Sequence, residues 1–289
     1  MDVRPVTSDQ FPEIYPLLQS FKNPSMLRED WRRMLFDLPW AVDEPHRGHA
    51  LYHNGRAVGF LGTLFSTRQI QGRTLRFCNL SSWIVDDAHR AGSFQLLMPV
   101  LGMRTHTIVN LTASEAAHEI FRGLGFRTLE DRQILVPLLP TPRSLAGFLS
   151  RDVVIHPEVM RNVLDESGRV IFDDMRRTHA GQVLLRRGRR SCHIVATRSP
   201  WKGSLRLAHV QYASDWDFFW DELSSVGWAF YRVLKTVGLR IEGRRLGRAL
   251  PTFARLRPLE VPTLFRPAED NIGPDCIDGL YTELVGQHW

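Results

Sequence analysis

A strand–turn–strand unit occurs twice in this chain, and that repeat limits the possible fold more than any other feature. Gly48-His49-Ala50-Leu51-Tyr52-His53-Asn54-Gly55-Arg56 is matched, 133 positions further on, by Gly181-Gln182-Val183-Leu184-Leu185-Arg186-Arg187-Gly188-Arg189. Beyond each unit, Gly72, Leu75 and Arg76 are matched by Gly203, Leu205 and Arg206. Asp86 and the helical pattern after it are matched by Asp215 and residues 216–236. The offset drifts by a few positions, as small loop deletions would produce. Chance similarity between two hairpins is the alternative; the reading favoured is a tandem duplication with a diverged second copy. It divides the 289 residues into a first domain at 1–138, a looser linker at 139–157 and a second half at 158–289. A chain of this length holds one large or two ordinary domains, each with its own core.

The first copy reads as a mixed α/β unit. Residues 2–6 form a short strand, and Ser8-Asp9 caps a helix whose apolar face is Phe11, Ile14, Leu17 and Leu18. A second helix fits Arg28–Leu38. Leu51–Arg56 is a strand entering an Asn54-Gly55 turn, the strongest short-range hairpin signal, with Val58–Thr67 returning. A turn at Gln71-Gly72 leads into the strand Leu75–Val85. A helical pattern at Phe94–Met103, a strand at Thr107–Leu111, a helix opened by Ser114 and Glu115 and ended at Gly123–Phe126, and a strand at Ile134–Leu139 complete it. Three antiparallel strands followed by one crossover helix give an α/β (mixed-sheet) class.

Charge and cysteine usage narrow the partners. The net charge is +6, and much of the excess arginine lies in Arg186–Arg190 and Arg240–Arg255. Such runs are either solvated basic faces or attractors for phosphates and acidic sugars. No nucleic-acid-binding motif accompanies them, so nucleic acid is not an expected partner. Cys78, Cys192 and Cys276 have no metal-ligand spacing, which argues against a bound metal, and their odd number suits a reducing compartment. The N-terminus lacks a signal peptide's apolar stretch, and no run is long enough for a membrane span. The expected location is the cytoplasm.

Chemistry is expected after Val85. A strand there delivers the chain to a turn and a helix start, whose first N–H groups are a ready anion site. Arg90 precedes the helix, and Ala91, Gly92 and Ser93 are small enough for a phosphate to approach the main chain. A generic strand–turn–helix junction would look the same. The surroundings say more. Trp83-Ile84-Val85-Asp86-Asp87-Ala88-His89-Arg90-Ala91-Gly92-Ser93-Phe94-Gln95-Leu96-Leu97 resembles the acyl-CoA motif of the GNAT acyltransferase superfamily, a strand, a short turn, Arg/Gln-x-x-Gly-x-Gly/Ala and a leucine-bearing helix. Phe121-Arg122-Gly123-Leu124-Gly125-Phe126 resembles the segment before that family's last strand, and Arg56–Phe60 resembles its entry hairpin. The order holds over about 130 residues.

The resemblance implies a GNAT fold in tandem halves and an acyl-CoA donor, acetyl-CoA or a longer one. The donor would lie in a split between the strand ending at Val85 and the strand Thr107–Leu111. Main chain at Trp83, Ile84 and Val85 would hold the pantetheine. The N–H groups of Arg90, Ala91, Gly92, Ser93, Phe94 and Gln95 would hold the pyrophosphate, and Phe121 would lie beside the cofactor. An amine acceptor would attack directly, with catalysis resting on positioning and a fixed oxyanion contact.

The sequence departs from the family where proton transfer occurs. Many relatives carry a Glu on the fourth strand, a Tyr before Leu-Gly-Phe and an Asn at the helix start; here stand Asn79, Phe121 and Ser114. Asn79, Ser81 and, on the other side of the strand, Ser82 are candidates to bind acceptor or water, with ordinary strand packing as the alternative. His106 is a candidate base, with a structural role as its alternative. Cys78 is expected in the core, and no strong side-chain base is expected on the acceptor side. The matching turn of the second half, Asp215–Asp221, is acidic and glycine-free, so CoA is expected in the first half only. The Asn79–Trp83 strand also resembles GNAT-like proteins of bacterial surface-polysaccharide synthesis, which implies an amino sugar or other sugar-linked amine as acceptor. The alternative is a GNAT-like binding or scaffold module without turnover.

Overall fold

A computed structural model describes residues 1–40, 44–139 and 152–287. β1 (Asp2–Pro5) leads through a 3-10 turn into α1 (Phe11–Gln19), followed by α2 (Arg28–Leu35). β2 (Gly48–His53), β3 (Arg56–Ile70) and β4 (Arg73–Val85) follow as a meander. Both of its turns are two residues long and left-handed at each position: Asn54 at φ 49° with Gly55 at 78°, and Gln71 at 51° with Gly72 at 74°. Those values match the twist of the flanking strands, which is why Asn-Gly and Gln-Gly stand there.

A 3-10 segment (Asp87–Leu96) runs into α3 (Leu97–Gly102), then β5 (Thr107–Asn110), α4 (Glu115–Gly123) and β6 (Arg127–Pro137). The helix expected over 94–103 is therefore a single α-helical turn and a half, with its N-terminal part wound more tightly. α4 begins as read: the Ser114 hydroxyl accepts from the N–H of Ala117, and Gly125 at φ 84° ends it. β7 (Val153–Val154), α5 (Pro157–Val163), α6 (Glu166–Met175), β8 (Gly181–Arg187), β9 (Arg190–Pro200) and β10 (Arg206–Ala213) follow. The chain ends with α7 (Trp216–Asp221), α8 (Leu223–Leu234), β11 (Gly238–Glu242), β12 (Arg255–Arg266) and α9 (Glu283–Gly286).

The chain forms two compact units, and they are not the linear halves 1–138 and 158–289. The first comprises Met1–Leu129, Val261–Ile277 and the tail from Tyr281; the second comprises Glu130–Glu260 and Asp278–Leu280. Most of the expected linker, 140–151, lies outside the described residues. The difference has one cause: the last strand of each linear half joins the sheet of the other unit. In the first unit the end of β12 runs antiparallel to β5, with Leu264 opposite Asn110 and Arg266 opposite Ile108. In the second unit β6 runs antiparallel to β11, with Ile134 opposite Ile241.

Each unit repeats one topology. Three antiparallel strands (β2-β3-β4, and β8-β9-β10) lead by a helical crossover to a parallel fourth (β5, and β11). The third meander strand carries a bulge in both cases, at Ser82 in β4 and at Gln211 in β10.

In the first unit Leu51, Leu61, Cys78, Leu80, Leu97, Ile108 and Phe121 pack on one face of the sheet. On α1 and α2, Ile14, Leu18, Trp31 and Leu35 are buried, and Phe36 stacks on Phe60 at 5.9 Å between centroids. In the second unit the aromatics Phe218, Phe219 and Trp220 enter the core with Val183, Ile194, Val210 and Phe230; each buried ring contributes about 2–3 kcal/mol. Its basic runs are matched in part by its own carboxylates. Arg187 pairs with Asp152 and Glu222, Arg190 with Asp215 and Asp221, Arg248 with Asp221, and Arg244 with Glu242.

Candidate functional site

The first unit's sheet opens in its middle. β4 and β5 are paired in parallel at Phe77–Thr107, Cys78–Ile108 and Asn79–Val109, and no farther. Beyond Asn79 the two strands separate, and a bulge on β4 accompanies the opening. Gly62 faces Ser81 and Phe60 faces Ile84, so Leu61 alone opposes both Ser82 and Trp83. Ser82 takes φ 56°, a left-handed conformation that costs a non-glycine residue energy. The extra residue bends the strand away from its neighbour. The result is a run of β4 main chain, from Leu80 to Val85, paired to β3 on one side and unpaired by any described strand on the other.

A cavity of about 310 Å³ fills this opening. Leu80, Ser81, Ser82 and Trp83 form one wall, Asn110, Thr112 and Ser114 another, Phe21, Trp31 and Met34 a third, and Ala117 and Phe121 the far side. Ser82 was expected across the strand from Ser81. The bulge defeats that alternation: both hydroxyls line the cavity, with their oxygens 3.2 Å apart. Phe121 is held edge-on between Trp83 at 5.6 Å and Phe126 at 4.9 Å between centroids. Phe121 is thus an apolar wall of the cavity.

A carboxylate stands where the sequence offered none. Glu283 opens α9, whose Thr282 hydroxyl accepts from the N–H of Leu284. Its side chain is fully buried. The Asn79 amide nitrogen donates to Glu283 Oε2, and the Thr112 hydroxyl donates to Oε1 at 2.6 Å. Burial pushes the Glu283 carboxyl above the usual range, and the Thr112, main-chain and Asn79 hydrogen bonds oppose that shift. Asn79 itself is buried, and its Oδ1 has no partner among the described residues. Asn79 does not line the cavity; it holds Glu283. The expectation that no strong side-chain base lines the acceptor side stands beside a buried carboxyl that does not itself line the cavity. Only a sequence separation of 204 positions hid it.

The segment expected to cradle a pyrophosphate is built differently from the expectation. Residues 87–96 are wound as 3-10 turns, a winding that directs N–H groups to carbonyls three residues back rather than outward to an anion. Gly92 is buried: a Cβ there would meet Leu51 Cδ2 at 2.8 Å and Met1 Sδ at 3.2 Å. Glycine is required for packing at this position, and no phosphate reaches it from that side. Ala91, Phe94 and Gln95 are exposed and Ser93 is half-buried. The Arg90 guanidinium projects outward and pairs with Asp87 at 2.8 Å.

His106 lies outside the cavity lining. Its Nδ1 is 3.1 Å from the Thr105 hydroxyl, its Nε2 is 3.8 Å from Glu44, and its ring packs against Phe65 at 5.3 Å. Cys78 is fully buried, as expected, and its thiol is pushed upward by that burial. In the second unit the Asp215 carboxylate occupies the start of α7, accepting from the N–H of Phe218 at 2.8 Å and pairing with Arg190 at 3.0 Å. An anion has no place at that helix start. Among the described residues no group of three or more His, Cys, Asp or Glu side chains could hold a metal ion, and no helix is long and apolar enough to cross a membrane.

No protein-family model matches this sequence, and no curated protein does either. Solved structures match the fold. A GCN5-related N-acetyltransferase from Anabaena variabilis superposes with a TM-score of 0.58 at 11% identity, over 93% of this chain and 73% of that one. A GCN5-related N-acetyltransferase from Kribbella flavida superposes with a TM-score of 0.56 at 15% identity, over 92% of this chain and 72% of that one. The fold is that of the GNAT acyltransferases.

Proposed function

We propose that the chain transfers an acyl group from an acyl-CoA thioester to an amine, with the first unit carrying the reaction. The observation that supports this most is the opening between β4 and β5, with its free strand edge and its cavity of about 310 Å³. A pantetheine arm is an extended chain of amides. It can pair with the main chain of Leu80–Val85 as an added strand would. An N–H in the Trp83–Val85 stretch then polarises the thioester carbonyl as negative charge develops on its oxygen. The acyl end and a small acceptor fit in the space beyond. Ser81, Ser82, Asn110 and Ser114 offer hydroxyl and amide groups on the acceptor side, which supports a polyhydroxylated amine such as an amino sugar. The phosphate end of the donor rests on the Arg90 side chain in this reading, because the N–H groups after it are engaged in 3-10 turns. The repeated topology and the matching bulges support descent of both units from one duplicated GNAT-like unit.

Those engaged N–H groups also favour a second reading, a module that binds a thioester or peptide in the split without turnover. Thermal-shift measurements with acetyl-CoA, CoA and pantetheine test whether the split binds a donor at all, and thioester consumption with amines present separates the two readings. Acetyl-CoA should stabilise the protein, and Arg90→Glu should abolish the CoA shift while sparing the smaller pantetheine shift. If Arg90→Glu keeps the full CoA shift, the phosphate end lies elsewhere. If no thioester shifts the protein and none is consumed with amines present, acyl transfer is the wrong reading.

A further inference from the structure

The Glu283 carboxylate is buried beneath the cavity, yet one of its two partners reaches it. Thr112 is exposed, lines the cavity, and turns its hydroxyl proton inward to Glu283 Oε1 at 2.6 Å. That orientation leaves the lone pairs of Thr112 Oγ1 available to the cavity. The other carboxylate oxygen is fixed by the Asn79 amide, on the strand position where the split begins. The tail carrying Glu283 is itself anchored in the first unit: a Cβ at Gly286 would meet Met34 Cγ of α2 at 2.9 Å, so the two backbones are in close approach there. Two hydrogen bonds to one buried carboxyl group, one of them from a hydroxyl that opens onto a cavity, form a route for a proton rather than a packing accident.

We infer that Thr112 and Glu283 form a proton relay, in which Thr112 takes a proton from the acceptor amine and passes its own to Glu283. This rests on the acyl-transfer reading above. An ammonium acceptor must lose a proton before its nitrogen can attack. The N–H proton moves to Thr112 Oγ1 as the Thr112 proton moves to Glu283 Oε1, leaving a neutral amine and a protonated carboxyl. The C–N bond forms, the C–S bond breaks, and the departing thiolate takes up the second nitrogen proton. Glu283 returns its proton through Thr112 to cavity water, which restores the resting state. Glu283 acts only through Thr112, so it is a positioning and proton-storing residue and Thr112 is the catalytic one.

The groups bearing on the Glu283 carboxyl are Thr112 from the segment after β5, Asn79 from β4 and its own main-chain N–H, none of them charged. Among the described residues no ionisable side chain of α2, β4 or α4 joins them. Burial raises its proton affinity toward that of an amine-facing base, which is what a relay terminus needs.

The test is CoA release from acetyl-CoA with glucosamine and a panel of simple primary amines, followed across pH. In the wild type, kcat/KM should show an ascending limb from one group besides the amine. Glu283→Gln should lower kcat by roughly 10²–10³-fold with KM for acetyl-CoA little changed, and should erase that limb. Thr112→Val should do the same, Thr112→Ser should recover most of the loss, and the double variant Glu283→Gln/Thr112→Val should be no worse than either single one. A wild type silent with every amine overturns the acyl-transfer reading and the relay together. An active wild type whose limb survives in Glu283→Gln, or whose rate survives in Thr112→Val, overturns the relay alone. Should Glu283→Gln fail to fold, the exposed Thr112 pair decides the matter by itself.

Discussion

Replacing Asn79 by leucine, which keeps its branched outline in a larger side chain, tests the coupling between β4 and the segment carrying Glu283. The variant deletes the donor to Glu283 Oε2 and, with it, the buried Oδ1 that has no partner. The second change is favourable and independent of pH. The first is neither. A hydrogen bond to an ionised carboxylate contributes about 1.5–3 kcal/mol, and it stabilises the charged form alone. Its loss raises the folded-state pKa of Glu283 further above the usual carboxyl range. A carboxyl with a raised folded pKa contributes stability that is fully present below its unfolded pKa, and loses it as pH rises through the folded pKa. In the variant that loss continues further up the pH scale, so the destabilisation relative to wild type grows toward the strength of the lost hydrogen bond, about 1.5–3 kcal/mol, between acid and alkaline pH. Equilibrium denaturation of both proteins from about pH 5 to about pH 9 measures it. A difference that stays flat over this range refutes the coupling, whatever its absolute size.

Two further outcomes are expected. Burial, reinforced by His46, depresses His49 to about 4, and burial depresses His193 to about 4. Both are neutral in the fold, so stability present above the unfolded value near 6.5 is lost as pH falls toward about 4, by up to on the order of 3 kcal/mol each; His49→Gln should flatten the acid limb of a stability–pH curve, and an unchanged limb would remove His49 from the account. Arg266 donates to the carbonyls of Val100, Leu101 and Met103 at 3.2 Å each, tying β12 to the end of α3; Arg266→Met should cost about 1–3 kcal/mol in a calorimetric melt, and an unshifted melt would show that those carbonyls are equally well served by water.

What could be read from residue order was what short-range chemistry controls. Asn54-Gly55 and Gln71-Gly72 announced their turns because few other residues tolerate two successive positive φ angles. Ser114 and Gly125 marked the ends of α4 for similar local reasons. Ser82 was misplaced because alternation holds only while a strand is regular, and a serine at φ 56° gives no compositional warning of a bulge. The 94–103 helix was misjudged because leucine spacing does not distinguish a 3-10 winding from an α one over so few residues. β12 escaped notice because Pro258 and Pro262 lie inside it, and proline ordinarily argues against a strand; its pairing with β5 begins only past them, at Leu264. Glu283 was illegible for a different reason. A single glutamate near the end of a chain carries no sign of the asparagine that will bind it.

The exchange of terminal strands sets an order on assembly. During synthesis β5 exists long before β12, so the growing first unit presents an unpaired strand edge, Thr107–Asn110, that is buried in the finished fold, for the time needed to add some 150 residues. β6, the nearest strand in sequence, is committed to β11 instead. Such an edge is a template for pairing with other chains. It is closed by Leu264–Arg266, and the carboxylate beneath the cavity arrives still later, with Thr282 and Glu283. A fragment ending near residue 138 would therefore carry the whole Trp83–Leu97 segment and yet lack both the strand that pairs with β5 and the carboxyl that binds Asn79 and Thr112. Expression of that fragment should give an aggregating product, and a nascent chain should close this sheet edge only once residues 264–266 have been made.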